Sequence, residues 1–316
     1  MQTFSPPEQA ISPEMDAGYA VSLLLWQELE SLLRNEAIVV SRQDDEALHD
    51  FRISIRRMRS LISQSRTLFG KPVAKHFLAD FKWIGNFTTP VRDLDVLAIK
   101  LEDYGAGLPA EYRDNLAIIQ SFLQQERGHA YAELQKDLNS HRYQEMIRAW
   151  RGYLEKRLAG NGVEKMEPTI LEHANRKTWK TYQLVLEEGR QITDASPATA
   201  LHELRKTCKK LRYLIDFFSD LHEAEGVRRL IRILKKLQNF LGDFQDCEAH
   251  LELLTRFQQH ARLPANVQIS FMLINEFLIA ELHRREHEMR GRFDEKFSAF
   301  DKPRTHKLMR NLYHPE

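Results

Sequence analysis

At 316 residues, 42% hydrophobic and 29% charged, the chain can bury the core of one large or two ordinary domains, which excludes a disordered protein. Its 13 Gly and 11 Pro are too few for many strands and turns, and Leu, Glu, Lys, Arg, Gln and Ala recur throughout, so an all-α fold is expected. Two cysteines, Cys208 and Cys247, exclude a disulfide scaffold and a zinc site of four thiolates, and suit a reducing compartment. The N-terminus has neither the basic start nor the apolar run of a signal peptide, and apolar stretches such as Val21 to Trp26 are too short to span a bilayer. A cytoplasmic protein without membrane insertion is the expectation.

In chain order, apolar spacing predicts helices over 16–38, 46–69, 72–103, 110–138 and 142–158, then over 169–191, 198–221, 225–260 and 266–298. Residues 1–14 read as a flexible start and 301–316 as a tail. Gly70-Lys71-Pro72 ends one helix and starts the next, Pro90 is expected to interrupt the third, and Ser196-Pro197 supplies an N-cap followed by a first-turn proline. Ala159-Gly160-Asn161-Gly162 is the clearest break, so 15–160 and 169–300 form two halves joined by a linker at 161–168.

The net charge of +1 hides a segregation. Residues 48–82 carry eight Lys or Arg against Asp50 and Asp80, a local excess of +6. Residues 201–236 carry ten against five acids, an excess of +5, which leaves −10 for the rest. These two blocks are also copies. A shift of 153 residues lays LHDFRISIRRMRSLI (48–62) on LHELRKTCKKLRYLI (201–215) without a gap, and the register continues to Asp93 on Asp246. So long a period points to duplication of a whole helical unit.

Within each copy the apolar residues are spaced 3, 4, 3, 4: Leu48, Phe51, Ile55, Met58, Ile62, and Leu201, Leu204, Cys208, Leu211, Ile215. That is the buried face of a helix. One residue further on, His49, Arg52, Arg56 and Arg59 form a file beside it, matched by His202, Arg205, Lys209 and Arg212. Like charges at this spacing oppose helix formation, by roughly 0.2–0.5 kcal/mol per pair, so each file calls for a compensating anion. Pairing with acids from neighbouring helices is the plainer explanation for a single file. Two matched files lining one groove would focus their field on a polyanion, and the Arg fork suits phosphate. Lys75 and Lys82, with their counterparts Arg228 and Lys235, could form a further wall.

LHDFRISIRRMRSL and LHELRKTCKKLRYL resemble the two signature segments of the CHAD domain, the conserved histidine α-helical domain, with its pattern H-x-x-R-x-x-x-[RK]-[RK]-x-R. FKWIGNFTTPVRDLDVL and LKKLQNFLGDFQD are similar to that family's following helix, and His141-Arg142-Tyr143 to a feature opening the inter-bundle helix. The resemblance covers about residues 15 to 300. It implies two four-helix bundles related by internal pseudo-twofold symmetry, with inorganic polyphosphate held in a basic central groove or pore. Carried over by position, the polyphosphate-binding residues would be His49, Arg52, Arg56, Arg57 and Arg59, with His202, Arg205, Lys209, Lys210 and Arg212, joined by Lys75, Lys82, Arg228 and Lys235. The motif histidines read equally as phosphate donors or as supports of the helix start, and Asp93 and Asp246 as carboxylates that orient the cations. Gln245 departs from the pattern, standing where the first half has Arg92.

The expected role is therefore non-catalytic, with no cofactor, and the resemblance extends it to recruitment to polyphosphate granules, where acidic outer faces could dock proteins. His283-Arg284-Arg285-Glu286-His287 matches the H-x-x-E-H of inverted zinc peptidases, but only 29 residues follow and the neighbours are Arg-rich, so no metal site is expected. No P-loop, G-x-S-x-G or E-x-E-x-K string occurs, although an accessory subunit of a polyphosphate- or triphosphate-processing enzyme remains an alternative. A nucleic-acid binder is the other. Single-strand binders interleave aromatics with positive charge, whereas Phe51, Tyr213, Phe217 and Phe218 are assigned to the core.

Overall fold

The 3, 4, 3, 4 stripes close into the helices they predict. The computed structural model describes residues 10–41, 45–113, 115–159 and 168–314. The first half comprises α1 (Ala17–Ser41), α2 (Asp45–Gln64), the short α3 (Arg66–Phe69), α4 (Lys71–Gly105), the short α5 (Ala110–Arg113), α6 (Leu116–Leu138) and α7 (His141–Ala159). The second comprises α8 (Ile170–Gln191), α9 (Ala198–Phe217), α10 (Ala224–His260), α11 (Ala265–Gly291), α12 (Phe293–Phe300) and α13 (Pro303–Tyr313). Among the described residues the only extended pairing is an isolated bridge from Asp16 to Thr169. It ties the start of α1 to the start of α8, with Ile170 N–H donating to Met15 O at 2.8 Å. Residues 161–167 of the expected linker at 161–168 lie outside the described residues, as do Gly160 and residues 1–9 of the expected flexible start.

Local chemistry explains where helices end and where expectation fails. Gly70 adopts φ 78°, a left-handed value open to glycine, and parts α3 from α4. Thr169 and Glu172 form a reciprocal capping box on α8, a T-x-x-E signal legible in the sequence. Ser196 does not cap α9: its hydroxyl accepts from Thr193 N–H at 2.9 Å, and Pro197 precedes the helix. Pro90 does not interrupt α4 either, which runs through it. Proline removes one backbone donor there. Around it the Thr88 and Thr89 hydroxyls donate to Gly85 O at 3.0 and 2.8 Å, and Arg52 Nη1 donates to the same oxygen at 3.2 Å.

The core divides into three clusters. One gathers α1, α2, α3, α7 and the first part of α4 around Trp150, Phe51 and Phe81, and accepts Leu214, Phe217 and Phe218 from the end of α9 and the turn after it. A second joins α8, α9, α12, α13 and the first part of α10. The third is shared by both halves of the chain: Leu94 to Leu108 of α4 and its following turn, Ile119 and Leu123 of α6, Cys247 to Ala261 along and just past α10, and Phe271 to Leu282 of α11. At about 1.5 Å per residue, α4 and α10 are each over ~50 Å long. Each therefore serves its own half with its first part and the common cluster with its second.

Two further departures concern the C-terminal region. Helix α11 is long and apolar enough to cross a membrane by length and composition, contrary to the reading of short apolar stretches, yet Phe271, Ile274, Leu278 and Leu282 are buried in the third cluster. The expected tail is largely helical: Thr305, Met309 and Tyr313, four apart, are fully buried in α13. Truncating Tyr313 to Ala should cost about 3–5 kcal/mol, as for other buried aromatics. Chemical denaturation checks this; a loss below about 1 kcal/mol would show that α13 is not part of the core.

Candidate anion-binding crevice

Helices α2 and α9 pack together, and α4 meets α10 beside them. With the apolar stripes of α2 and α9 buried, the middle members of the neighbouring cationic files, Arg52 and Arg56 of α2 and Arg205 and Lys209 of α9, lie within one another's field where the two helices meet. Lys209, half-buried, feels Arg205 from its own helix and Arg56 and Arg52 from α2. Burial first, then these three cations, push its ammonium down to about 7, while Asp246 pulls the other way. Arg205 is lowered by burial and by Arg56, and raised by Asp246.

Arg52 is anchored by α4. Its Nη1 donates to Thr88 Oγ1 at 2.6 Å and Thr89 Oγ1 at 3.1 Å as well as to Gly85 O. Burial, Arg56 and Arg92 hold its guanidinium down at about 10, against the field of Asp93. Asp93 is itself pushed up by burial and by Asp246, and lowered by Arg52. Asp246 is already engaged, accepting from Lys100 Nζ at 3.0 Å. The nearby carboxylates thus leave the cations undercompensated. The Nε atoms of Arg56 and Arg205 are buried without a hydrogen-bond partner. A buried donor left unmade costs about 1–3 kcal/mol, which an entering anion would recover.

The remaining file members flank this meeting point. Arg59 is half-buried, with its Nη1 close over Gly85 of α4, 3.4 Å from where a Cβ would stand. His49 is held low by burial and by Arg92 and Arg56. Its counterpart His202 is hydrogen-bonded through Nδ1 to Gln245 Oε1, so the residue that stands where the first half has Arg92 faces the motif histidine. Arg212 stands 3.4 Å from Asp216 and 3.5 Å from Gln238 Oε1.

Other sequence candidates point elsewhere. Arg57 donates to Glu28 of α1 at 2.6 Å and lies 4.3 Å over the Phe217 ring, so it is paired within its own half and reaches the other through a cation–π contact. Lys210 lines a separate cavity of about 340 Å³ with Gln64 of α2 and Lys177 and Lys180 of α8. Lys75, Lys82 and Lys235 are exposed, and Arg228, also exposed, pairs with Glu225 at 2.9 Å. None of these four is among the charges that shift Arg52, Arg205 or Lys209. Sequence reasoning missed Thr88, Thr89 and Lys100. Lys100 falls on Leu253 under the repeat shift, so duplication carried no signal for it. In the H-x-x-E-H segment, Glu286 accepts from Arg290 at 3.2 Å, and His283 and His287 are exposed.

The family model described as CHAD domain matches residues 23–255 of this chain. The chain belongs to the CHAD-domain family. Its matched span holds both cationic files and both long helices α4 and α10 to within a few residues of the latter's end. The crystal structure of the CHAD domain from the plant Ricinus communis is similar to it with a TM-score of 0.78 at 21% identity, over 96% of this chain and 97% of that one. PptA from Streptomyces chartreusis is similar with a TM-score of 0.66 at 13% identity, over 90% of this chain and 99% of that one. An uncharacterized protein of Mycobacterium tuberculosis strain CDC 1551 is 25% identical over 245 residues, 76% of this chain. Its counterpart in strain H37Rv is 24% identical over the same length. The chain spans 43% of the length of these curated relatives. The CHAD fold here is all-α, as the sequence indicates.

Proposed function

We propose that this CHAD domain binds inorganic polyphosphate, without hydrolysing it, along the crevice where α2 meets α9. Arg52, Arg56, Arg205 and Lys209 form its centre, with Arg59, His49 and His202 beside them. The carrying observation is the pair of buried, unpartnered Nε donors on Arg56 and Arg205, one from each half, at a point where cations outnumber free carboxylates. A linear chain of phosphates supplies acceptors at repeated spacing, and guanidinium forks match them. Retention at polyphosphate granules in the cell would follow from such binding.

Nucleic acid offers the same phosphates, but its single-strand readers stack bases on exposed rings. Phe51, Phe217 and Phe218 are buried, and Tyr213, the aromatic whose field reaches Arg205, packs against the first core cluster. Titrating the full chain with long-chain polyphosphate and with single-stranded DNA, at equal phosphate and salt, tests the reading. Polyphosphate is expected to bind at least tenfold tighter, with affinity rising with chain length. The logarithm of the affinity should fall linearly with the logarithm of salt, by about 0.7 per neutralised phosphate if the polymer behaves as a single strand. Equal affinity for the two polymers would defeat the preference.

A further inference from the structure

Away from the crevice, the cavity of about 340 Å³ where the end of α2 meets α8 and α9 gathers three lysines. Lys177, Lys180, Thr181 and Leu184 stand at i, i+3, i+4 and i+7 along α8, so a single helical face forms its wall. Gln64, the last residue of α2, and Lys210 of α9 close it. Thr207 of α9 donates to Glu188 of α8 at 3.1 Å, which holds these two helices in register beside the cavity. Lys177 and Lys210 are half-buried.

Among the described residues, the side chains of Lys177, Lys180 and Lys210 make no ion pair and no hydrogen bond. Three ammonium groups against one lining carboxylate, Glu187, leave an excess of +2. The cavity of about 430 Å³ between α4, α10 and α11 is the contrast, because its cations are largely taken. There Lys100 meets Asp243 and Asp246 at 3.2 and 3.0 Å, Arg284 meets Glu281 at 2.7 Å, and Arg285 meets Glu281 and Asp103. Lys177 has no such answer. Burial, then Arg176 and Lys180, hold its ammonium below the usual lysine range, and an anion seated between the lysines would replace that repulsion by attraction.

We infer that the α2–α8–α9 cavity is a second anion site, separate from the crevice, and that it takes a small phosphate ester bearing hydroxyl groups, of the sugar-phosphate class. A phosphate monoester carries about −1.5 to −2 at neutral pH, which matches the excess charge of the lining. Each lysine offers a compact charge with three mobile donors. The volume lies within the ~300–1,000 Å³ of small-molecule sites. No aromatic ring lines it among the described residues, so a nucleobase would find no platform. The Gln64 amide and the Thr181 hydroxyl suit the hydroxyls of the ester, and Leu184, 39% exposed, suits its carbon skeleton. Lys210 directly follows Lys209, yet a helix turns about 100° per residue, so the two ligands approach α9 from different sides. Nothing in this assignment depends on polyphosphate being the ligand of the crevice.

Amide NMR of the unaltered full chain, titrated with glucose 6-phosphate and separately with orthophosphate, locates the site without any variant. Saturable shifts are expected at Gln64, Lys177, Thr181 and Lys210, at lower concentration for the ester than for orthophosphate. Shifts at Arg52, Arg56 and Arg205 instead, equal affinity for orthophosphate, or no saturable shift overturns the inference. Calorimetry adds the second arm. Changing Lys177 and Lys180 together to Gln should weaken glucose 6-phosphate by about tenfold or more. The same change should leave polyphosphate binding within about twofold, because separated exposed charges are screened. Changing Arg52, Arg56, Arg205 and Lys209 to Gln should leave the ester's affinity in place. A loss of polyphosphate binding as large as that of the ester, on changing Lys177 and Lys180, would put the cavity on the polymer's path and overturn a separate site. Ester binding at the cavity with no polyphosphate binding anywhere would defeat the crevice reading and support this one.

Discussion

Replacing Arg52, Arg56, Arg205 and Lys209 together by Gln is expected to abolish polyphosphate binding while leaving the helical circular dichroism unchanged. At about 1.5 kcal/mol for each charge-assisted contact, the four are worth on the order of a 10⁴-fold loss. Folding should not suffer in proportion, because these side chains repel one another and bury two unpartnered donors. Their removal relieves a strain that the unliganded protein carries at its site. Titration of the variant beside a second one, with Lys75, Lys82, Arg228 and Lys235 changed to Gln, separates the crevice from general positive charge. The second variant should keep most of its affinity, since those groups are exposed and outside the central field. Unchanged binding by the first variant, or an equal loss by the second, would move the site away from the α2–α9 meeting point.

Gly189→Ala is expected to be among the most damaging single substitutions for stability. A Cβ on Gly189 would stand 2.0 and 2.2 Å from ring carbons of Phe297, which itself stacks on Phe293 at 5.7 Å and borders Phe300. That ring is part of the second core cluster and has nowhere to retreat, so α8 and α12 must separate. Overpacking of this kind costs about 1–3 kcal/mol, and the overlap here points to the upper end or beyond. Gly152→Ala in α7 is the contrast: open space surrounds its Cβ, and the change should stabilise by roughly 0.5–1 kcal/mol. Urea unfolding of both variants reads the difference. If Gly189→Ala unfolds at the same midpoint as the unaltered chain, the α8–α12 contact is looser than these distances say.

Much of the crevice was legible because a helix turns side chains by a fixed angle. Arg52 and Arg56 follow His49 at spacings of 3 and 4, and that file marks the face that reaches α9. Arg57 is one residue out of file, about 100° further round, and meets Glu28 and Phe217 instead. Lys209 and Lys210 part in the same way, one into the crevice and one into the cavity shared with Lys177 and Lys180. The family pattern, which includes both members of each pair, does not distinguish them; the periodicity did. What periodicity withholds is the partner. It marks a buried face on the second parts of α4 and α10 without saying that those faces cover each other, so the third cluster was not foreseen. The Thr88 and Thr89 anchors are hidden because Pro90 reads as a break, whereas α4 continues through it and presents both hydroxyls to Arg52. Thr305, Met309 and Tyr313 were readable at their spacing of four, beginning just after Pro303, and were passed over as a tail.

The third cluster also decides whether the two halves can stand apart. Leu97, Leu101 and Ile119 come from one copy, and Leu254, Phe271 and Leu278 from the other, all with at most 1% exposure. Neither half expressed as a separate fragment would cover these side chains alone, so cutting the chain in two should expose them. Mixed fragments would have to find each other before either was complete, as in fragment complementation. The first cluster, which seats Leu214 and Phe217 of α9 in the same core as Phe51 and Ile55 of α2, is what holds the two cationic helices together, so the repulsion between them is borne by hydrophobic burial on the faces beside the charges.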